Sequence, residues 1–348
     1  MRKLIIILVL FTCGRTAFPQ EEGIIVISTE QQKVEYFFNH AFSSYQQKEY
    51  DTALVCLNNV LKINSSMEEA YILKANTQQQ MGKVQDAIAT WLVFADKIGK
   101  KDSAYYMIAK LYYDEKDYSS SLKHTQMAID INNSNYRTHY LQGLNYYSLE
   151  KQEDAINSFT AAITLRETVA ELYNDRANAF SKTGNYTQAI EDYTQAIRIK
   201  SIASYYSNRA NAEYLSGNHA RAVEDYTTAI QLDKQNYQLF CSRGVAKLAL
   251  SDLYEALEDF HTCIQLNNKF SEGYNYRGIV YFKLKRYIDA VNDFNKTISL
   301  NPKAGEAYLH RGNTYEMLRE AQKACQDWQQ AAEMGIEAAK EYTNNQCK

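Results

Sequence analysis

The chain has 348 residues, a formal net charge of −3, 29 tyrosines, 13 glycines and 2 prolines. So little Pro and Gly leaves too few turn signals for an all-β fold and favours long helices. Without its first twenty residues it carries 35 basic against 41 acidic side chains, which is no basic footprint, so neither DNA nor RNA is expected as a partner.

In chain order, the first element is a charged start, Arg2 and Lys3, feeding an unbroken apolar run from Leu4 to Phe11. The run is too short to cross a bilayer as a helix but suits the apolar centre of an export signal. Residues 1–20 are therefore read as a signal peptide and 21–33 as a linker and helix lead-in. The stretch Leu10-Phe11-Thr12-Cys13 is similar to a relaxed bacterial lipobox, which makes Cys13 a lipidation candidate, although Phe11 and Thr12 depart from the small residues that motif prefers. The alternative is a plain signal with an incidental cysteine. Export places the protein in the periplasm or, through an N-terminal lipid, on the outer membrane. If the apolar start were instead a first strand, the protein would be cytoplasmic. Ser28 with Gln31, or Thr29 with Gln32, has the spacing of a capping box that opens the first helix.

From there to the C-terminus one pattern recurs. Ala53, Ala87, Ser121, Ala155, Ala189, Ala222, Ala256, Ala290 and Ala324 fall in register at intervals of 34 residues, with a single 33. Sixteen positions before each lies a bulky residue (Phe37, Tyr71, Tyr105, His139, Tyr173, Tyr206, Phe240, Tyr274, Tyr308), and twelve before, an Ala or Gly. Four positions after, an aromatic or Leu is usual, such as Leu57, Trp91, Phe159, Tyr193 and Trp328. Residues at i, i+4 and i+7 share one helical face, so each half of the unit is an amphipathic helix. The small residues mark where the two helices cross closely. Polar turns such as Thr183-Gly184-Asn185 and Ser216-Gly217-Asn218 separate the halves.

This pattern resembles the tetratricopeptide repeat, and it covers residues 34–338 as nine units starting at 34, 68, 102, 136, 170, 203, 237, 271 and 305. The resemblance implies an all-α fold, a right-handed α-solenoid of helix-turn-helix repeats whose first helices line a concave groove. A single repeat cannot bury its own apolar face, so the ends need caps, and the chain from 336 to 348 is read as a capping helix and C-terminus. The family lines its groove from first-helix positions one, five and eight after the bulky anchor. Carried over, these are Phe38, Phe42, Tyr45, Tyr106, Lys110, Tyr113, Tyr140, Leu144 and Tyr147 in the early repeats. Asn174, Asn178, Ser207, Asn211 and Tyr214 follow in the middle, then Val245, Leu248, Ile279 and Phe282. Amides and exposed tyrosines at such positions suit an extended peptide or a helix. The Lys pairs with which chaperone-binding members clamp a terminal carboxylate are missing at the matching positions.

The nine repeats fall into two groups. The last five carry Arg176, Arg209, Arg243, Arg277 and Arg311 just before the small residue, and Asp192, Asp225, Asp259, Asp293 and Asp327 sixteen positions later. The first four carry His40, Lys74, Ile108 and Gln142, then Cys56, Thr90, His124 and Ser158. Arg and Asp appear together and vanish together, and pairing inside a repeat satisfies all ten, so a structural ladder is expected, with an anion-binding Arg row as the alternative. Cys325 and Cys347 flank a turn near Gly335 at similar heights and are read as a disulfide pinning the cap. The six histidines are scattered, and no HExxH, CxxC, phosphate loop, GxSxG or paired-carboxylate pattern occurs. No catalysis, metal or cofactor is expected. The function expected is a non-catalytic protein-binding scaffold of the cell envelope. Its alternatives are a cytosolic adaptor and a carrier of a glycan or small molecule in the Tyr-rich groove.

Overall fold

The computed structural model describes residues 29–347. The apolar start, Cys13 and the reading of residues 1–28 lie outside the described residues. Among those described there are nineteen α-helices and no strand, which is the all-α architecture the repeat implies. The chain divides after Glu167 into two compact units.

The first unit holds α1 (Glu30–Gln46), α2 (Tyr50–Ile63), α3 (Glu68–Gln80), α4 (Val84–Ile98), α5 (Lys101–Asp114), α6 (Tyr118–Ile131), α7 (Tyr136–Ser148) and α8 (Gln152–Leu165). Each helix packs on the next, giving repeats one to four, and first helices also meet, α1 with α3 and α5 with α7. Helix α1 begins four residues ahead of the sequence-based start at 34, because Thr29 caps it. The Thr29 hydroxyl accepts from the Gln32 N–H and the Gln32 side chain accepts from the Thr29 N–H, each at 3.2 Å.

The second unit holds α9 (Ala170–Lys182), α10 (Tyr186–Ile199), α11 (Ala203–Leu215), α12 (His219–Leu232), α13 (Tyr237–Ala249) and α14 (Leu253–Leu266). It continues with α15 (Ser271–Lys283), α16 (Tyr287–Leu300), α17 (Gly305–Met317), α18 (Ala321–Glu333) and α19 (Glu337–Gln346). Repeats five to nine again stack in sequence order, α19 covers α18, and α9 meets α11, α13 meets α15 and α15 meets α17.

The helix crossing inside each repeat follows from side-chain volume. Ala53, Ala87, Ala155, Ala189, Ala222, Ala256, Ala290 and Ala324 are buried, and so are Leu57, Trp91, Phe159, Tyr193, Tyr226, Phe260, Phe294 and Trp328 one turn later. In four repeats the residue facing that ring is Gly, and the ring lies too close to leave room for a methyl. A Cβ on Gly278 would sit 2.7 Å from the Phe294 ring, and one on Gly312 2.7 Å from the Trp328 ring. Repeat three lacks the aromatic and crosses through polar groups instead. The Ser121 hydroxyl donates to the Ala109 carbonyl and accepts from the Asn145 amide, both at 2.8 Å.

Candidate functional site

In the second unit, three successive first helices enclose a recess of about 350 Å³. Helix α11 contributes Asn211 and Tyr214, α13 contributes Gln238, Cys241, Ser242 and Val245, and α15 contributes Glu272 and Tyr276. Tyr226 of α12 and Phe270 of the α14–α15 turn complete it. The lining residues of α13 recur at i, i+3, i+4 and i+7, one face of a helix, so the spacing that aims them inward is set by the sequence.

The polar groups of this recess are fixed. The Tyr226 hydroxyl donates to the Asn211 carbonyl oxygen, which orients the amide and leaves its N–H groups for a ligand. Burial pushes the Tyr226 hydroxyl up to about 12, so it stays a neutral donor. Tyr276 stacks on Phe260 with centroids 5.6 Å apart, and burial raises its hydroxyl too. The Cys241 thiol shares a hydrogen bond with Cys263 and is desolvated; both hold its proton well above the ordinary thiol range. A thiol held in that state is no nucleophile. Glu272 is the one charged side chain of the lining, and its carboxylate accepts from the Ser271 hydroxyl at 3.0 Å. Chemically the recess offers amide and hydroxyl groups over an aromatic floor with one carboxylate at the edge. That set recognises peptide-like groups and a cationic or N–H-rich side chain. Among the described residues no group of His, Cys, Asp and Glu is placed to hold a metal ion.

Of the residues expected in a groove, Asn211, Tyr214 and Val245 meet in this recess. The other two amides are engaged locally. Asn178 accepts from the Tyr193 hydroxyl at 2.6 Å as Asn211 does from Tyr226, but its amide donates to Asp175 at 3.4 Å, and Asn174 donates to Asp175 at 2.9 Å and accepts from Asn208 at 3.0 Å. In repeat nine, Trp328 Nε1 donates to Asn313 at 2.8 Å. Repeats seven and eight pair Phe260 and Phe294 with Val245 and Ile279 at the same positions, so the amide-to-aliphatic gradient follows the polarity of the facing ring. In the first unit Phe42 is 49% exposed, while Phe38 and Tyr45 lean on the core. Tyr113 meets Tyr118 at 5.6 Å and Tyr140 meets Phe159 at 5.8 Å, Tyr106 and Tyr147 are half-buried, and Lys110 is exposed. The recess residues that sequence reasoning passed over, Gln238, Ser242, Glu272 and Tyr276, lie two positions before or after the bulky anchors Phe240 and Tyr274. Extending the inward face of α13 and α15 by one helical turn finds them.

The five Arg–Asp pairs form inside their repeats. In each, Nε and Nη2 of Arg176, Arg209, Arg243, Arg277 and Arg311 donate to the two oxygens of the facing Asp at 2.6–2.9 Å. The bulky anchor one turn earlier lies 5.4–5.9 Å under every guanidinium carbon, from Tyr173 to Tyr308. Sequence reasoning missed a third contact. Nη1 of Arg209, Arg243, Arg277 and Arg311 reaches the second helix of the preceding repeat, at Thr194, Thr227, His261 and Asn295 respectively. Each of those residues stands two positions after that helix's own ladder Asp. The rung therefore ties helix to helix within a repeat and repeat to repeat. The paired Asp lifts the Arg277 guanidinium above its ordinary value. Every Arg fork is filled from inside, so the row offers no open fork to an outside anion.

Repeat four keeps the rung in neutral form. Ser158 donates to Gln142 at 3.3 Å, and Gln142 donates to Gln126 of the preceding second helix at 3.1 Å. In repeat three Ile108 is buried and His124 stacks on Tyr112 with centroids 5.2 Å apart. At the C-terminus Cys325 and Cys347 are joined in a disulfide with Cα atoms 5.5 Å apart, and Trp328 stacks on Tyr342 at 5.0 Å, so α19 is held to α18 by a bond and a ring pair. Cys56 and Cys263 are core residues.

Models of the tetratricopeptide repeat match residues 136–168, 170–201, 203–236 and 271–304. Among curated proteins the chain is 24% identical over 170 residues to DnaJ homolog subfamily C member 3 of Gallus gallus, covering 49% of this chain and 29% of that protein. It is also 24% identical over 168 residues to the TPR repeat-containing protein MJ1428 of Methanocaldococcus jannaschii, covering 44% of this chain and 29% of that one. The chain thus spans under a third of the length of each curated relative. Among solved structures, the C-terminal part of a TPR repeat-containing protein from Cytophaga hutchinsonii aligns with a TM-score of 0.57 at 16% identity, over 68% of this chain and 98% of that one. At such identity the likeness is one of fold.

Proposed function

We propose, for a chain that belongs to the tetratricopeptide-repeat proteins, the role of a non-catalytic scaffold of the cell envelope that binds an extended segment of a partner protein on its first helices. Proteins of this family and fold are generally interaction scaffolds. The observation that carries the reading is the recess of α11, α13 and α15, where Asn211 is oriented by Tyr226 and Glu272 stands alone as the charge. Groups fixed before a ligand arrives lower the entropy cost of binding it. The thiol that faces the recess is held protonated, which suits recognition rather than reaction.

Two features support an envelope location. Arg2 and Lys3 precede an apolar run of export-signal type, and Cys325–Cys347 is a bond that persists in oxidising compartments and is rare in reducing ones. No helix among the described residues is long and apolar enough to cross a membrane. The membrane attachment we propose is a lipid on Cys13, which fatty-acid labelling of the wild type and of Cys13→Ser tests directly. For the binding face, a photo-crosslinking amino acid at Gln238 in the native host is expected to trap one partner protein. The same group at Ile288, which is exposed on a second helix, is expected not to trap it. Equal capture from both positions overturns the assignment of the face.

A further inference from the structure

Five repeats carry a cation and an anion at the rung, repeat four carries two neutral groups, and repeat three carries none that pair. Repeat two breaks the rule. It places Lys74 of α3 where the later repeats have Arg, and Thr90 of α4 where they have Asp. No ion pair of the described residues includes Lys74. Thr90 instead donates to the Gln78 carbonyl oxygen at 2.7 Å, and both of those side chains are buried. The bond fixes the Gln78 carboxamide and leaves its N–H groups without an acceptor from Thr90. Around these residues lies a recess of about 250 Å³, lined by Tyr71, Lys74 and Gln78 from one helix and by Asp86, Thr90 and Val93 from the other.

The electrostatics of this recess are those of a rung short of one negative charge. Burial pulls the Lys74 ammonium below the ordinary lysine value, and Asp86 offsets this only in part. Asp86 itself is outside ion-pair distance. A half-buried ammonium whose nearby carboxylate, Asp86, makes no ion pair with it is costly, and a carboxylate brought in from outside would relieve that cost with a charge-assisted hydrogen bond. The Tyr71 hydroxyl is already committed, donating to the Ser65 carbonyl at 3.1 Å, so the free donors at the recess are Lys74 Nζ and Gln78 Nε2. The volume is below that of ordinary small-molecule pockets, about 300–1,000 Å³, and admits a side chain better than a cofactor.

We propose that repeat two binds an external carboxylate between Lys74 and Gln78, in the place that the repeat's own aspartate occupies in the five later repeats. The acid comes from an acidic side chain of a partner polypeptide or from a free dicarboxylate, and the chemistry of recognition is the same. The site is built from residues of the first unit alone and does not depend on what binds at the recess of α11, α13 and α15.

The test is calorimetric titration of the intact protein, at physiological ionic strength, with a blocked tri-glutamate peptide, its tri-glutamine counterpart and succinate. Saturable binding of the glutamate peptide is expected, with the glutamine peptide weaker by at least about tenfold. Binding of the peptide but not of succinate assigns the polypeptide source, and comparable binding of succinate assigns the free acid. Lys74→Gln should abolish binding and Lys74→Arg should keep it. Thr90→Asp supplies the missing internal carboxylate and should abolish binding while raising Tm. Absence of saturable binding by either acid overturns the proposal. So does equal binding of the glutamine peptide, or undiminished binding in Lys74→Gln, which decides the matter even if Thr90→Asp fails to fold.

Discussion

A guanidinium shared by three helices is costly to strand. In repeat eight Arg277 bonds both oxygens of Asp293 at 2.8 Å, reaches His261 at 3.3 Å and covers the Tyr274 ring at 5.6 Å. Asp293→Ala leaves that charge half-buried with no anion and should cost about 3 kcal/mol in urea unfolding. Because the two residues act as one group, adding Arg277→Ala should cost much less than the sum of the single changes, and additive losses would show that the pair is uncoupled. A second residue-scale prediction concerns packing. Gly278→Ala would gain about 1 kcal/mol of helix propensity but drives a methyl to 2.7 Å from the Phe294 ring. Overpacking of that kind costs about 1–3 kcal/mol, so the variant should melt lower than the wild type. Ala177, facing Tyr193 in repeat five, shows that the same position accepts a methyl where the ring differs. Ring type alone does not set the choice between Ala and Gly, since Ala75 faces Trp91 where Gly312 faces Trp328; how close the ring lies to the first helix decides it.

Every helix pair turns through one residue in the left-handed conformation. That residue is Gly at 82, 184 and 217, but Lys48, Lys116, Glu150, Ser251, Lys285 and Arg319 in the other six repeats, all with φ of 60–65°. A side chain there costs about 1 kcal/mol, so Lys285→Gly should stabilise repeat eight by up to that amount, read as a rise in the urea midpoint. A lower midpoint would mean that the Lys285 side chain contributes more than its backbone costs. The terminal helix is a separate case. Ala339 is its one fully buried side chain, and α19 rests on the Trp328–Tyr342 stack and on the Cys325–Cys347 bond that closes a separation of 22 residues. Opening a loop of that size should cost about 3 kcal/mol. Reduction, or Cys325→Ser with Cys347→Ser, should expose the last helix to protease well before the rest of the second unit. Cleavage at an unchanged rate would show that ring packing alone holds it.

At the scale of the molecule, the helical architecture was legible because one 34-residue period repeats from Ala53 to Ala324, and each anchor fixes a crossing whose volume only a small residue fits. The ladder was legible for a different reason, since Arg and Asp vanish together in the first four repeats. Its third arm to Thr194, Thr227, His261 and Asn295 was not, because three residue types serve one purpose and no single type marks the position. The recess of α11, α13 and α15 was legible in part. Positions carried over from the family reached Asn211, Tyr214 and Val245, but Gln238 and Glu272 sit one turn nearer the helix starts, and the engagement of Asn178 by Tyr193 is a tertiary fact. The account's central claim is that the first-helix face of the second unit holds a partner. Glu272→Lys tests it most directly, because Glu272 is exposed, supplies the recess with its one charge and belongs to no rung. The measurement is the Kd of the crosslinked partner for the purified variant beside that of the wild type. The account predicts binding weaker by at least about tenfold, with Tm unchanged. An unchanged Kd would contradict it.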